Sequence, residues 1–226
     1  MAEENSIFQE IDDSLRVENF ERFLRRHGKK ILLAIFLLII SVAANVVWKD
    51  YNRSKNMEIT DIILKAQKIS DEAKYDDATQ ALAAASEGSR GISFIAKFKQ
   101  AENLIKSGKF DQAIAVYHAI NENKSADSAL RDLALINLVI ISENHNLSYK
   151  ANIYDEIKDI YNKEGTFSNI AGELYALNLL KIGNKKEAYQ IFDNIAKKPA
   201  IPNSQRERVA SIAQIIKEDS VKVEKK

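Results

Sequence analysis

Apolar positions along the chain follow two patterns. From Ile31 to Trp48 they are nearly continuous, an 18-residue run without a charge in which twelve residues are Leu, Ile, Val or Phe. Elsewhere they recur every third or fourth residue, the spacing of one helix face. At roughly −0.3 to −0.6 kcal/mol each, the twelve contribute on the order of −4 to −7 kcal/mol toward bilayer insertion, with Asn45 opposing. As a helix rising ~1.5 Å per residue the run is about 27 Å long, close to the ~30 Å hydrocarbon layer. Trp48 and Tyr51 fall where an interfacial aromatic belt would sit. The pattern predicts a transmembrane helix over 31–48.

The flanks give the expected orientation. Arg16, Arg22, Arg25, Arg26, Lys29 and Lys30 precede the run, whereas only Lys49, Arg53 and Lys55 follow it closely. This excess places the N-terminus in the cytoplasm and exports the rest. A cleaved signal peptide is the competing reading, since Val42-Ala43-Ala44 resembles a cleavage site. The 30 residues ahead of the run and its length favour an uncleaved anchor. Residues 5–27 read as an amphipathic helix through Phe8, Ile11, Leu15, Phe20, Phe23 and Leu24, suited to partner docking or simply extending the membrane helix.

Beyond the anchor the pattern repeats itself. Ala101, Leu104, Gly108, Phe110, Ala113, Tyr117 and Ile120 have the same spacings as Ala176, Leu179, Gly183, Lys185, Ala188, Phe192 and Ile195. Ala66, Ile69, Ala73, Tyr75, Ala78, Leu82 and Ala85 form a weaker copy. These strings resemble tetratricopeptide repeats, in which small residues let paired helices approach and a glycine ends the first helix. Residues 128–163 fill the remaining interval as two helices, around Leu130–Ile141 and Tyr149–Tyr161, without the small residues and with Asn144-His145-Asn146 at the turn. The count is four hairpins, one degenerate. After Pro199 and Pro202, with Ser204 as N-cap, Val209, Ile212, Ala213 and Ile216 stripe a capping helix.

The expected fold is therefore all-α: an N-terminal single transmembrane helix followed by a tetratricopeptide-like helical-hairpin solenoid with a C-terminal capping helix. Residues 1–30 form the cytoplasmic amphipathic segment, 31–48 the span, 49–218 the repeat domain and 219–226 a charged tail without ordered structure.

Several stretches carry a wider resemblance: Asp13-Ser14-Leu15-Arg16 through Phe23, Arg26-His27-Gly28-Lys29, the anchor with Trp48 and Tyr51, Leu130-Arg131-Asp132-Leu133-Ala134, and Lys181-Ile182-Gly183-Asn184. In these the chain is similar to a bacterial inner-membrane family with a short cytoplasmic N-terminus, one membrane helix and a periplasmic tetratricopeptide-like domain. That family includes the ancillary subunit of the Sec translocon. The resemblance implies a scaffold in the inner membrane whose partners are translocon subunits, periplasmic chaperones or exported chains, and it implies no catalysis. The alternative is a self-associating structural protein of the cell envelope.

Composition narrows the chemistry. The formal net charge is +1, with no basic bias of the kind nucleic-acid binding requires. Absence of Cys excludes disulfides, thiolate catalysis and cysteine zinc sites. Seven glycines and two prolines, against roughly 27 for average usage, argue for long helices. His27, His118 and His145 lie far apart, and the glycines occur singly, so no metal motif, phosphate loop, cofactor or small-molecule substrate is expected.

Partner binding is expected on the face lined by the first helix of each hairpin. In repeats that capture a peptide carboxylate this face carries Lys and Asn; here the corresponding positions hold Ile63, Phe98 and Glu173, then Gln67, Glu102 and Leu177. That departs from the carboxylate clamp. The expected partner-binding residues are Ile63, Phe98, Ile105, Leu177 and Leu180, a mixed apolar groove for apolar segments of another polypeptide. The competing expectation is that the C-terminal helix or the degenerate repeat covers them.

Overall fold

The computed structural model describes residues 2–87, 91–147, 152–199 and 201–224, and within them the side chains outside 2–24, 28, 31, 34, 35 and 220–224. The described residues form nine α-helices and no strand. Few glycines and prolines leave long stretches uninterrupted, and the helices show it. The chain divides into two compact units, Met1–Met57 and Glu58–Lys226.

The first unit belongs to α1, which runs from Ala2 to Asp71. Phe36 to Ile40 are all exposed, and five successive residues at 100° steps point in every direction around a helix. Leu32, Leu33, Val42, Val46, Val47 and Trp48 are exposed as well. Among the described residues no helix is long and apolar enough to cross a membrane. The expected span includes Ile31, Ala34 and Ile35, whose side chains lie outside the described ones, so the unbroken described stretch begins at Phe36. The expected apolar face of 5–27, from Phe8 to Leu24, also lies outside the described side chains.

The second unit is a series of helical hairpins. It starts at Glu58 rather than at Lys49, because residues 49–57 prolong α1 with side chains that are nearly all exposed. The end of α1 shares a buried cluster with α2 (Tyr75–Ser86) through Ala66, Leu82 and Ala85, and α3 (Gly91–Lys106) pairs with α4 (Phe110–Asn121), α5 (Ser128–Asn144) with α6 (Ile153–Asn162), and α7 (Ser168–Lys181) with α8 (Lys185–Lys197). From α2 onward each helix packs on the next, and α9 (Asn203–Glu224) closes the series on α8. This neighbour-to-neighbour packing defines a helical solenoid.

The repeated small residues do what their spacing requires. Ala66, Ala101 and Ala176 in the first helices, and Ala78, Ala113 and Ala188 in the second, are all fully buried. Any larger side chain at these points would push two helices apart. A first cluster joins Ala66, Leu82, Ala85 and Ala96, and the main core runs from Phe94 to Ile216.

Each hairpin turns in the same way. Ala73, Gly108, Asn146 and Gly183 adopt left-handed φ values of 60°, 76°, 52° and 85°. The next residue then donates its amide to the carbonyl five positions back: Lys74 to Ile69 at 3.3 Å, Lys109 to Leu104 at 2.8 Å, Leu147 to Ser142 at 2.9 Å and Asn184 to Leu179 at 2.8 Å. This is the Schellman ending of a helix. Asn146 therefore supplies in the third hairpin what glycine supplies elsewhere, since Asn tolerates the left-handed region better than other non-glycine residues.

Packing in that third hairpin differs. Seven residues before the turn, where the other hairpins carry Ala66, Ala101 and Ala176, it carries buried Val139. Its second helix begins late, at Ile153, and Tyr149 lies outside the described residues. As a result α5 and α6 meet over a shorter stretch than α3 and α4 or α7 and α8 do. His145 at the end of α5 stacks on Phe110 of α4, ring centroids 3.5 Å apart, and ties this turn to the preceding hairpin.

The C-terminal segment departs from expectation in two ways. Helix α9 begins at Asn203, so Ser204 lies within its first turn and is not the N-cap. It continues to Glu224, so the residues from 219 that read as an unstructured tail extend the helix; no Gly or Pro interrupts them, and Lys185 pairs with Asp219 at 3.4 Å. The stripe itself is as expected: Val209, Ala213 and Ile216 are buried and Ile212 is half-buried.

Candidate binding pocket

Looser packing of the third hairpin opens a pocket of about 540 Å³ between α5, α6 and α7. Ile140, Leu174, Leu177 and Leu180 form its apolar lining, joined by Glu143, Asn144, Tyr154, Asn178 and Lys181. Counting back from the turns makes the arrangement regular. Ile140 and Leu177 stand six residues before Asn146 and Gly183, and Glu143 and Leu180 stand three before them. The same helix face of two successive hairpins thus lines one cavity.

Glu143 organises its polar groups. It accepts a hydrogen bond from the Tyr154 hydroxyl of α6 and pairs with the Lys181 ammonium of α7. Burial pushes the Tyr154 hydroxyl above its ordinary range, so it stays a donor. Lys181 is spoken for by this carboxylate, and the polar edge is close to neutral. An incoming carboxylate would have to compete with Glu143 for its cation, whereas an apolar side chain needs no such exchange. The uncharged amides of Asn144 and Asn178 can donate to and accept from a peptide backbone.

Of the five expected partner-binding residues, the structure brings two together. Leu177, still 37% exposed, and Leu180 both line the pocket. Ile63 packs beside the Ala66–Leu82 cluster. Phe98 lies against Tyr117 of its own hairpin, centroids 5.6 Å apart, and Ile105 is half-buried on the main core. These three are half-buried against the core and do not line this pocket.

The carboxylates on the same face are also occupied from within. Glu102 pairs with Lys99 and Lys106, each at 2.8 Å, and the Lys106 and Lys99 ammonium groups hold its carboxyl below the usual range. Glu173 is buried under α9, where it accepts from Gln205 at 3.2 Å and from both Nε and Nη2 of Arg208, at 2.6 and 2.8 Å. The C-terminal helix therefore covers the start of α7 but leaves Leu177 and Leu180 open.

Sequence reasoning missed Ile140, Glu143, Tyr154, Leu174 and Lys181. The signal for the first two was present in Asn146: taken as the counterpart of Gly108 and Gly183, it sets Ile140 and Glu143 in register with Leu177 and Leu180. Among the described residues no group of three or more His, Asp or Glu is arranged to hold a metal ion. No family model matches the chain, and no curated protein matches it.

Proposed function

We propose that the chain is a single-pass, membrane-anchored scaffold whose hairpin domain binds apolar segments of other proteins. The pocket between α5, α6 and α7 carries the reading: it is apolar, near-neutral and sited on the face that tetratricopeptide-like solenoids use for ligands. The anchor rests on the uncharged run from Ile31 to Trp48 and on the all-round exposure of its described apolar side chains. Water disfavours such a surface, and a lipid environment removes the penalty. The six cations before the run against three after it favour a cytoplasmic N-terminus and an exported hairpin domain. The resemblance to the inner-membrane family makes translocon subunits, periplasmic chaperones or exported chains the partners to seek. The role is binding, not catalysis.

A second reading, self-association in the envelope, is favoured by Ile182 and Ile215. Both are more than 60% exposed, on segments that the Lys185–Asp219 pair draws together. Affinity purification of the full chain in mild detergent separates the two. Recovery of translocon or chaperone proteins with the wild type, and their loss with Leu177→Asp, supports the scaffold. Recovery of the bait alone, unaffected by Leu177→Asp, supports self-association. Phe98 is a poor target for this test because it packs on Tyr117, and its replacement would perturb the hairpin itself.

A further inference from the structure

The last turns of α1 before the apolar stretch carry Arg25, Arg26, Lys29 and Lys30, all exposed. On a helix turning about 100° per residue, Arg25, Lys29, Arg26 and Lys30 fall at about 0°, 40°, 100° and 140°. The cations therefore occupy one side, and half-buried His27 lies outside that arc at about 200°. Beyond the stretch the charge is lower: Lys49, Arg53 and Lys55 are accompanied by Asp50, a sum of +2, against +4 with no acid from Arg25 to Lys30.

We infer that the one-sided face of Arg25, Arg26, Lys29 and Lys30 binds the headgroups of anionic phospholipids. The inference rests on the membrane-anchored reading. Charge complementarity and position identify the ligand. The face adjoins the apolar stretch directly, so it lies at headgroup depth when that stretch is in the hydrocarbon layer. Arginine forks and lysine ammonium groups bind phosphate oxygens well. A net negative headgroup is favoured over a zwitterionic one by about fivefold per cation. Four cations with no acid among them give this end the stronger preference, since Asp50 offsets one of the three at the other end.

The test uses the full chain reconstituted in vesicles of equimolar phosphatidylcholine and phosphatidylglycerol. Retained lipids are then counted by native mass spectrometry after gentle detergent extraction. The wild type should retain phosphatidylglycerol over phosphatidylcholine by about tenfold or more, and the quadruple variant Arg25→Gln, Arg26→Gln, Lys29→Gln, Lys30→Gln should lower the ratio by about fivefold or more. The triple variant Lys49→Gln, Arg53→Gln, Lys55→Gln should lower the ratio by clearly less than the quadruple variant does. Flotation of the wild type with vesicles but without lipid preference, or an equal fall in both variants, overturns the inference and leaves the anchor standing. Failure of the wild type to float with vesicles overturns both.

Discussion

Hairpins α3–α4 and α5–α6 share a turn and differ in almost everything that follows it. In the first, Ala101 and Ala113 let the helices close, and Phe98 folds onto Tyr117. In the second, Val139 stands where Ala101 does, the partner helix starts late and the pair meets over a shorter stretch. The first hairpin spends its face residues on its own packing. The second leaves Ile140, Glu143 and Tyr154 to line a cavity with Leu177 and Leu180. Turn geometry and helix packing are thus separable: Asn146 preserves one while Val139 relaxes the other, and the cavity appears where the repeat is least regular.

The largest effect that sharpens this contrast lies in the tight hairpin. Burial, with a contribution from Glu102, pushes the Tyr117 hydroxyl up from 10 to about 12. Unfolded chains release this proton from pH 10 upward while the folded state keeps it. Stability is therefore full well below pH 10 and falls as pH rises through 12, by about 2.3 kcal/mol at pH 12 and up to about 2.7 kcal/mol beyond it. Urea unfolding of the detergent-solubilised chain at pH 10 and pH 12 should show this loss, and Tyr117→Phe should remove most of it. An unchanged pH dependence in the variant would mean that the hydroxyl is not enclosed.

Next in size, Ala101→Val places in the tight hairpin the residue that the loose one carries. No space exists at this fully buried position, and a cost of about 2 kcal/mol is expected in the same unfolding assay. Gly172→Ala should cost a similar amount where α7 crosses α6, because a methyl group there would lie 2.5 Å from Tyr161 Cδ2. A neutral result at Gly172 would show that the Tyr161 ring can move aside.

The smallest effects concern the shared turn. Ala73 is left-handed at φ 60° without being glycine. Relief of that strain, partly offset by backbone entropy, should make Ala73→Gly more stable by up to about 1 kcal/mol. Asn146→Gly should change stability less, since Asn already tolerates the conformation. A large loss in either would show that the four turns are not equivalent.

These contrasts also explain what was legible in the residues alone. Small residues at fixed intervals revealed three hairpins, because close helix approach demands Ala or Gly and little else fits. The third hairpin was visible only as length and helical periodicity, since Asn146 replaces the glycine that marks the other turns. Leu177 and Leu180 could be placed on the shared face of the first helices by alignment with the second hairpin. The same alignment could not show that Phe98 and Ile105 fold onto their own hairpin, because a face position does not reveal how far a side chain leans. Glu143 and Tyr154 meet Lys181 only through the relaxed packing of α5 and α6, which no local pattern encodes. The charged end of α9 read as a tail because its anchor, Lys185, lies 34 residues away.

The most direct test of the pocket is site-specific photo-crosslinking in cells, with the probe at Leu177 in the irregular region or at Ile95, exposed on the tight hairpin. Adducts with an envelope partner at Leu177, abolished by Leu180→Asp and absent from Ile95, are the predicted result. Equal adducts at both positions, or none at Leu177 in a folded chain, would contradict the account.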